Sequence, residues 1–231
     1  MSASEAAYQE QPGRHPAIAA VWASAAAAPG ATLVAADGCF DLIVRARRCG
    51  PTTAFVYTPV ARAHHALVEA GDRHVGVRLR PGFGAALVER PDLVRAAERL
   101  SVESPQDLEE LVANAVEAHP RQPGVVADFV LEARASTGAL RLTGASAARE
   151  RELQRACRRW LGLSPKAFLR IERVWAAREA IRGGGPLAMI AAELGYADQA
   201  HLAREVRELL GVTPRALRPV GILQDPTAPS R

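Results

Sequence analysis

Residues 187–217 read LAMIAAELGYADQAHLAREVRELLGVTPRAL. Leu187, Ile190, Ala191 and Leu194 fall at i, i+3, i+4 and i+7, which gives a short helix one apolar face. Pro186 stands at its start, where a missing N–H costs nothing. Gly195 follows Leu194 and can take the left-handed conformation that stops a helix. Asp198 is then placed to cap a second helix. In that helix Leu202, Val206 and Leu209 face inward, while Ala200, Arg204 and Arg207 point away. Gln199 and His201 sit at its leading end. Helix, glycine turn and second helix make a helix-turn-helix pattern, whose second helix suits a DNA major groove.

The second half of this stretch occurs twice. Residues 150–168 align with 199–217 at an offset of 49. Leu153 meets Leu202, Arg155 meets Arg204 and Arg158 meets Arg207. Leu161-Gly162 meets Leu210-Gly211, and Ser164-Pro165-Lys166-Ala167 meets Thr213-Pro214-Arg215-Ala216. Two copies are too few for a solenoid and suggest two similar helical units. Ser164-Pro165 and Thr213-Pro214 each read as a cap followed by proline at the first helical position. A helix from Pro165 to Arg182 would span about 27 Å between the units. With helix widths added, this approaches the roughly 34 Å repeat of the major groove. The leading helix of the first unit, Leu140–Ala145, is weaker, and no glycine sits at the turn near Ser146-Ala147.

Upstream the pattern is different. Residues 1–16 carry little apolar order and read as a frayed end, and Pro16 to Ala28 reads as a short helix with Ile18, Val21 and Trp22 on one side. Short runs rich in β-branched and aromatic residues follow at Thr32–Ala35, Cys39–Arg45, Thr53–Tyr57, Ala63–Val68 and His74–Leu79, which suggest a small antiparallel sheet or barrel. After Pro81-Gly82 the periodicity is helical over Phe83–Glu89, Asp92–Leu100, Gln106–Ala118 and Gly124–Ala135. The expected class is α+β: a small antiparallel β-domain with flanking helices, then an all-α two-headed helix-turn-helix domain. The expected division is a β-rich effector or dimerisation domain at 1–120, a helical linker at 121–137, a DNA-binding domain at 138–218 and a loose tail at 219–231.

The 231 residues have a formal net charge of +4. Residues 140–218 hold 15 Arg and Lys against 8 Asp and Glu, whereas the remainder holds 14 against 17. The basic excess therefore sits in the C-terminal third, as a polyanionic partner would require. Lys166 is the only lysine, but arginine is spread along the whole chain and its preponderance carries no weight here. No apolar run reaches the roughly 18–20 residues of a membrane span, and no secretory signal is visible. Three scattered cysteines fit neither a disulfide scaffold nor a paired-cysteine zinc site, so a reducing cytoplasm is expected.

The run Ile190 to Val206, with Leu210-Gly211-Val212-Thr213-Pro214, strongly resembles the signature of AraC/XylS-type transcriptional regulators. Leu153-Gln154-Arg155 with Leu161 to Phe168 resembles the first helix-turn-helix of the same family. The resemblance implies a two-headed, seven-helix DNA-binding domain in a bacterial-type transcription factor. It places base reading on Arg151, Gln154 and Arg155 in the first head and on Gln199, Ala200, His201 and Arg204 in the second. Arg158, Arg159 and Arg207 are expected on phosphates. Cys157 and Val206 stand where the family usually has Phe, which implies looser packing under both recognition helices. Asp37-Gly38-Cys39-Phe40-Asp41-Leu42-Ile43, His15-Pro16 and Gly76 to Gly82 are similar to an uncharacterised small β-domain found ahead of such DNA-binding halves. That β-domain usually has proline where this chain has Ala36.

Donor geometry supports the assignment. Arg can bond guanine O6 and N7 together, Gln can pair similarly with adenine, and each good bidentate pair discriminates by about 1–3 kcal/mol. Cys39, Asp41, Arg78 and Arg80 are candidate effector-binding residues. Against this, Asp37-Gly38 also reads as a plain turn and Cys39 as a small buried residue. Arg78 and Arg80 share one strand face and could take an anionic effector or pair with carboxylates. Trp22, Phe40, Phe55 and Tyr57 read as core aromatics, as do Trp160 and Trp175 in the helical half. His64 and His65 are adjacent on a strand and point to opposite faces, so with His74 they suggest no shared metal site. No nucleophile–base constellation and no phosphate loop is present, and no cofactor is called for. Promoter DNA is the expected partner, with RNA polymerase, a small-molecule effector and a second copy of the chain as further candidates, and no membrane. The alternatives are a DNA-repair-type enzyme or regulator with a reactive cysteine, and a module whose basic face binds an acidic protein.

Overall fold

A computed structural model describes residues 7–138 and 146–218. Among these residues, seven strands come first: β1 (Ala7–Pro12), β2 (Ile18–Ala25), β3 (Gly30–Val34), β4 (Phe40–Ala46), β5 (Thr53–Tyr57), β6 (His64–Val68) and β7 (Arg73–Leu79). They form a five-stranded antiparallel sheet in the order β1-β2-β7-β4-β5 and a two-stranded sheet of β3 and β6. The fold is α+β, with the sheet in the first half and helices after it.

Two expectations are corrected in the first 28 residues. Residues 7–12 form β1, not a frayed end, and residues 18–25 form strand β2, not a helix. The alanines of 17–28 favour a helix locally. Pairing with strands on both sides overrides that preference. The strand also needs a flat partner for its one large side chain. Trp22 lies over Gly76, where a Cβ would fall 2.2 Å from the indole ring.

Leu42, Val44, Val75, Val77 and Leu79 fill one sheet face against Leu108, Val112 and Ala115. The last three lie on α3 (Pro105–Ala118), preceded by the short α1 (Ala85–Val88) and α2 (Pro91–Ala97). Buried side chains of this size contribute about 1.5–3 kcal/mol each.

The C-terminal core joins α4 (Gly124–Ala135), α5 (Ala147–Leu161), α6 (Pro165–Arg182), α7 (Leu187–Glu193), α8 (Gln199–Leu210) and α9 (Pro214–Leu217). Phe129 of α4 packs with Phe168, Ile171, Val174, Leu202 and Val206 in one cluster, which also takes in Ala36 and Ala85 from the first half. The helix expected as a linker is thus part of the second core. The expected leading helix at Leu140–Ala145 and the tail at 219–231 lie outside the described residues. Among those described, no helix is long and apolar enough to cross a membrane.

Candidate nucleic-acid interface

The second head is fixed by its turn. Gly195 has φ +71°; its N–H reaches the Ala192 carbonyl at 3.3 Å, and the Tyr196 N–H reaches the Ala191 carbonyl at 2.8 Å. These bonds satisfy carbonyls that the end of α7 would otherwise leave unpaired. Asp198 caps α8 by accepting the His201 N–H at 2.6 Å. Leu202, Val206 and Leu209 are buried, and Gln199, Ala200, Arg204 and Arg207 are exposed. His201 is half-buried, edge-on to Tyr196 at 5.2 Å, and its Nδ1 accepts the Ala197 N–H at 3.4 Å.

In the first head Ser146 caps α5, accepting the Arg149 N–H at 3.4 Å. Arg151, Arg155 and Arg158 are exposed on one face. Gln154 is half-buried, and its amide donates to Glu150 at 3.4 Å. Cys157 beneath them is fully buried, and burial pushes its thiol up to about 12. The helices after both heads start as expected, with Ser164 and Thr213 capping and Pro165 and Pro214 next. Residues 151, 155 and 158 correspond to 200, 204 and 207 at the repeat offset. The two recognition helices therefore present the same face to solvent.

Arg159 does not share that face with Arg158. Its guanidinium donates to Glu89 at 2.7 and 3.0 Å, which holds the Glu89 carboxyl below its ordinary value. A charge network that the sequence does not reveal lies behind α8. Buried Glu205 accepts from Arg170 at 2.7 Å and lies 3.6 Å from Arg173, whose guanidinium stacks 4.7 Å over Tyr196. Arg170 and Arg173 of α6 thereby fix the rotation of α8. The i, i+3 spacing of the two arginines was visible in the sequence, but their partner 32–35 residues away was not.

In the first half, Cys39, Asp41 and Arg78 come together. Arg78 lies 3.2 Å from Asp37, 3.3 Å from Asp41 and 3.6 Å from Glu10, so carboxylates already surround the cation proposed for an anionic effector. Trp22 donates to Asp41 at 2.7 Å. Burial raises the carboxyls of Asp37 and Asp41, the latter to about 6, against the opposing pull of Arg78. Cys39 is buried and its thiol is raised by the same cause. Arg80 is exposed and donates to the Pro16 carbonyl at 3.0 Å instead. Phe55, read as a core aromatic, is 40% exposed because its neighbours Ala54 and Val56 face the core and it points to the other side of the sheet, and Tyr57 is half-buried beside His64. Among the described residues, no group of three His, Cys, Asp or Glu side chains is placed to hold a metal.

Residues 142–219 match the family described as "Helix-turn-helix domain". No curated protein matches the chain. Two solved structures of ToxT from Vibrio cholerae are distantly similar. One has 9% identity and a TM-score of 0.42, covering 91% of this chain and 96% of that one. The other has 8% identity and a TM-score of 0.43, covering 91% and 97%. With its turn, caps and repeated exposed face, the C-terminal third is a helix-turn-helix domain of the AraC type, and the chain is a DNA-binding transcriptional regulator.

Proposed function

We propose that the two heads read adjacent major-groove segments of one promoter duplex. The carrying observation is the shared exposed face, residues 151, 155 and 158 in one head and 200, 204 and 207 in the other. Arg151, Gln154 and Arg155, together with Gln199, Ala200, His201 and Arg204, contact base edges. Arg158 and Arg207 contact phosphates. The domain at 1–120 takes a small-molecule effector or pairs with a second copy, and the bound protein engages RNA polymerase in the cytoplasm. The domain at 138–218 binds the DNA.

The activity is binding, not catalysis. A reactive thiol needs a lowered pKa, whereas Cys39 and Cys157 are buried with raised ones, and the exposed Cys49 has no metal-holding cluster of His, Asp or Glu beside it among the described residues. The test is selection of bound fragments from random duplexes. Arg204→Ala relaxes preference at one base position, at a cost of about 1–3 kcal/mol; Arg158→Ala weakens binding to all sequences and lowers the salt slope by about 1. Unchanged site preference in Arg204→Ala would overturn the orientation given to α8.

A further inference from the structure

Both recognition helices end in Leu-Gly, at Gly162 and Gly211, with φ of +67° and +74°. The β-domain touches both of these caps. A Cβ on Gly162 would fall 2.7 Å from the Phe40 ring and 3.1 Å from Pro59. A Cβ on Gly211 would fall 2.5 Å from Leu33 and 3.2 Å from Ala63. Backbone bonds reinforce the second contact, Ala36 N–H to the Leu209 carbonyl at 2.8 Å and Ala63 N–H to the Glu208 carbonyl at 2.9 Å. Arg62 adds an ion pair to Glu208 at 3.2 Å.

The segment between these contacts is also tied to the helix joining the heads. The Ala36 carbonyl accepts the Trp175 indole N–H at 2.8 Å, and Gly38 packs against Phe168 and Ile171 of α6. All of these contacts lie at the C-terminal ends of α5 and α8 or on α6. The exposed arginine faces are left open.

We infer that the β-domain acts as a spacer gauge: through Ala36, Arg62 and Trp175 it sets the separation and phase of the two heads, and so determines which half-site spacing the protein accepts. This rests on the reading that both heads engage one duplex. One added base pair moves a half-site by about 3.4 Å and turns it by about 34° around the DNA axis. A rigidly gauged reader cannot follow that change with both heads.

The full-length chain is used to select its preferred duplex from a random library. Affinity is then measured on that duplex and on versions with one base pair inserted or removed between the half-sites. The wild type loses about tenfold, equivalent to about 1.4 kcal/mol. The double variant Trp175→Phe, Arg62→Ala keeps the aromatic ring but removes the indole donor and the exposed cation, and it loses less than about threefold. Arg62→Lys with Trp175 intact retains the wild-type preference. Equal losses in the wild type and the double variant would overturn the gauge while leaving the two-groove reading in place. A wild type indifferent to spacing would overturn both.

Discussion

Leu153 in α5 and Leu202 in α8 stand at equivalent positions of the repeat, yet Leu202 is fully buried and Leu153 only half-buried. The difference continues toward the leading ends. Residues 147–152 are all exposed, and the Ser146 cap is long at 3.4 Å. Asp198 caps α8 at 2.6 Å, and Tyr196 and His201 brace the turn before it. A carboxylate is also the stronger partner for a helix N-terminus. One motif can therefore be held in two ways: α8 is anchored along its length, whereas α5 is anchored from its middle onward.

Truncating the two equivalent leucines tests this contrast directly. Leu202→Ala should cost about 2–5 kcal/mol of stability by leaving a cavity in a sealed core. Leu153→Ala should cost about half as much, with both read from denaturant midpoints. Equal costs would mean that the heads are equally anchored. The caps come next. Asp198→Ala should cost about 1–2 kcal/mol and Ser146→Ala about 0.5 kcal/mol, and amide exchange should show the lost protection at the first turn of α8.

The smallest effect concerns two carboxylates held differently, Asp41 buried in the sheet and Glu89 at the surface. Asp41 has a carboxyl raised to about 6 by burial, above its unfolded value. Its contribution therefore falls as pH rises from about 4 to about 6 and is constant above that. Glu89 is held low by Arg159, so its contribution has the opposite sign: present at neutral pH and lost in acid. The melting temperature of the wild type should accordingly fall relative to that of Asp41→Asn as pH rises across that window. Parallel profiles would show that Asp41 does not titrate there.

Much of this was legible because it is local. Strand β5 lies where its β-branched and aromatic run placed it, and the helix ends at Gly162, Gly195 and Gly211 follow from residue type. Strand β2 was not legible, since its alanines favour a helix and only pairing with β1 and β7 decides otherwise. The solvent face of α8 could be read from periodicity. The role of Arg159 could not, because its partner Glu89 lies 70 residues away. Ala36 shows the same limit. It stands where the β-domain it resembles usually has proline, and its N–H, which proline lacks, is the donor to Leu209.

That bond and its neighbour from Ala63 have a practical consequence for assays on fragments. The last carbonyls of a helix have no partner within it, and two of those in α8 are taken up by the β-domain. A piece beginning near residue 121 would surrender them to water and fray in its final turn. Its circular dichroism should show less helix than the same residues contribute in the whole chain, and footprints obtained with it would understate how sharply the intact regulator chooses its sites.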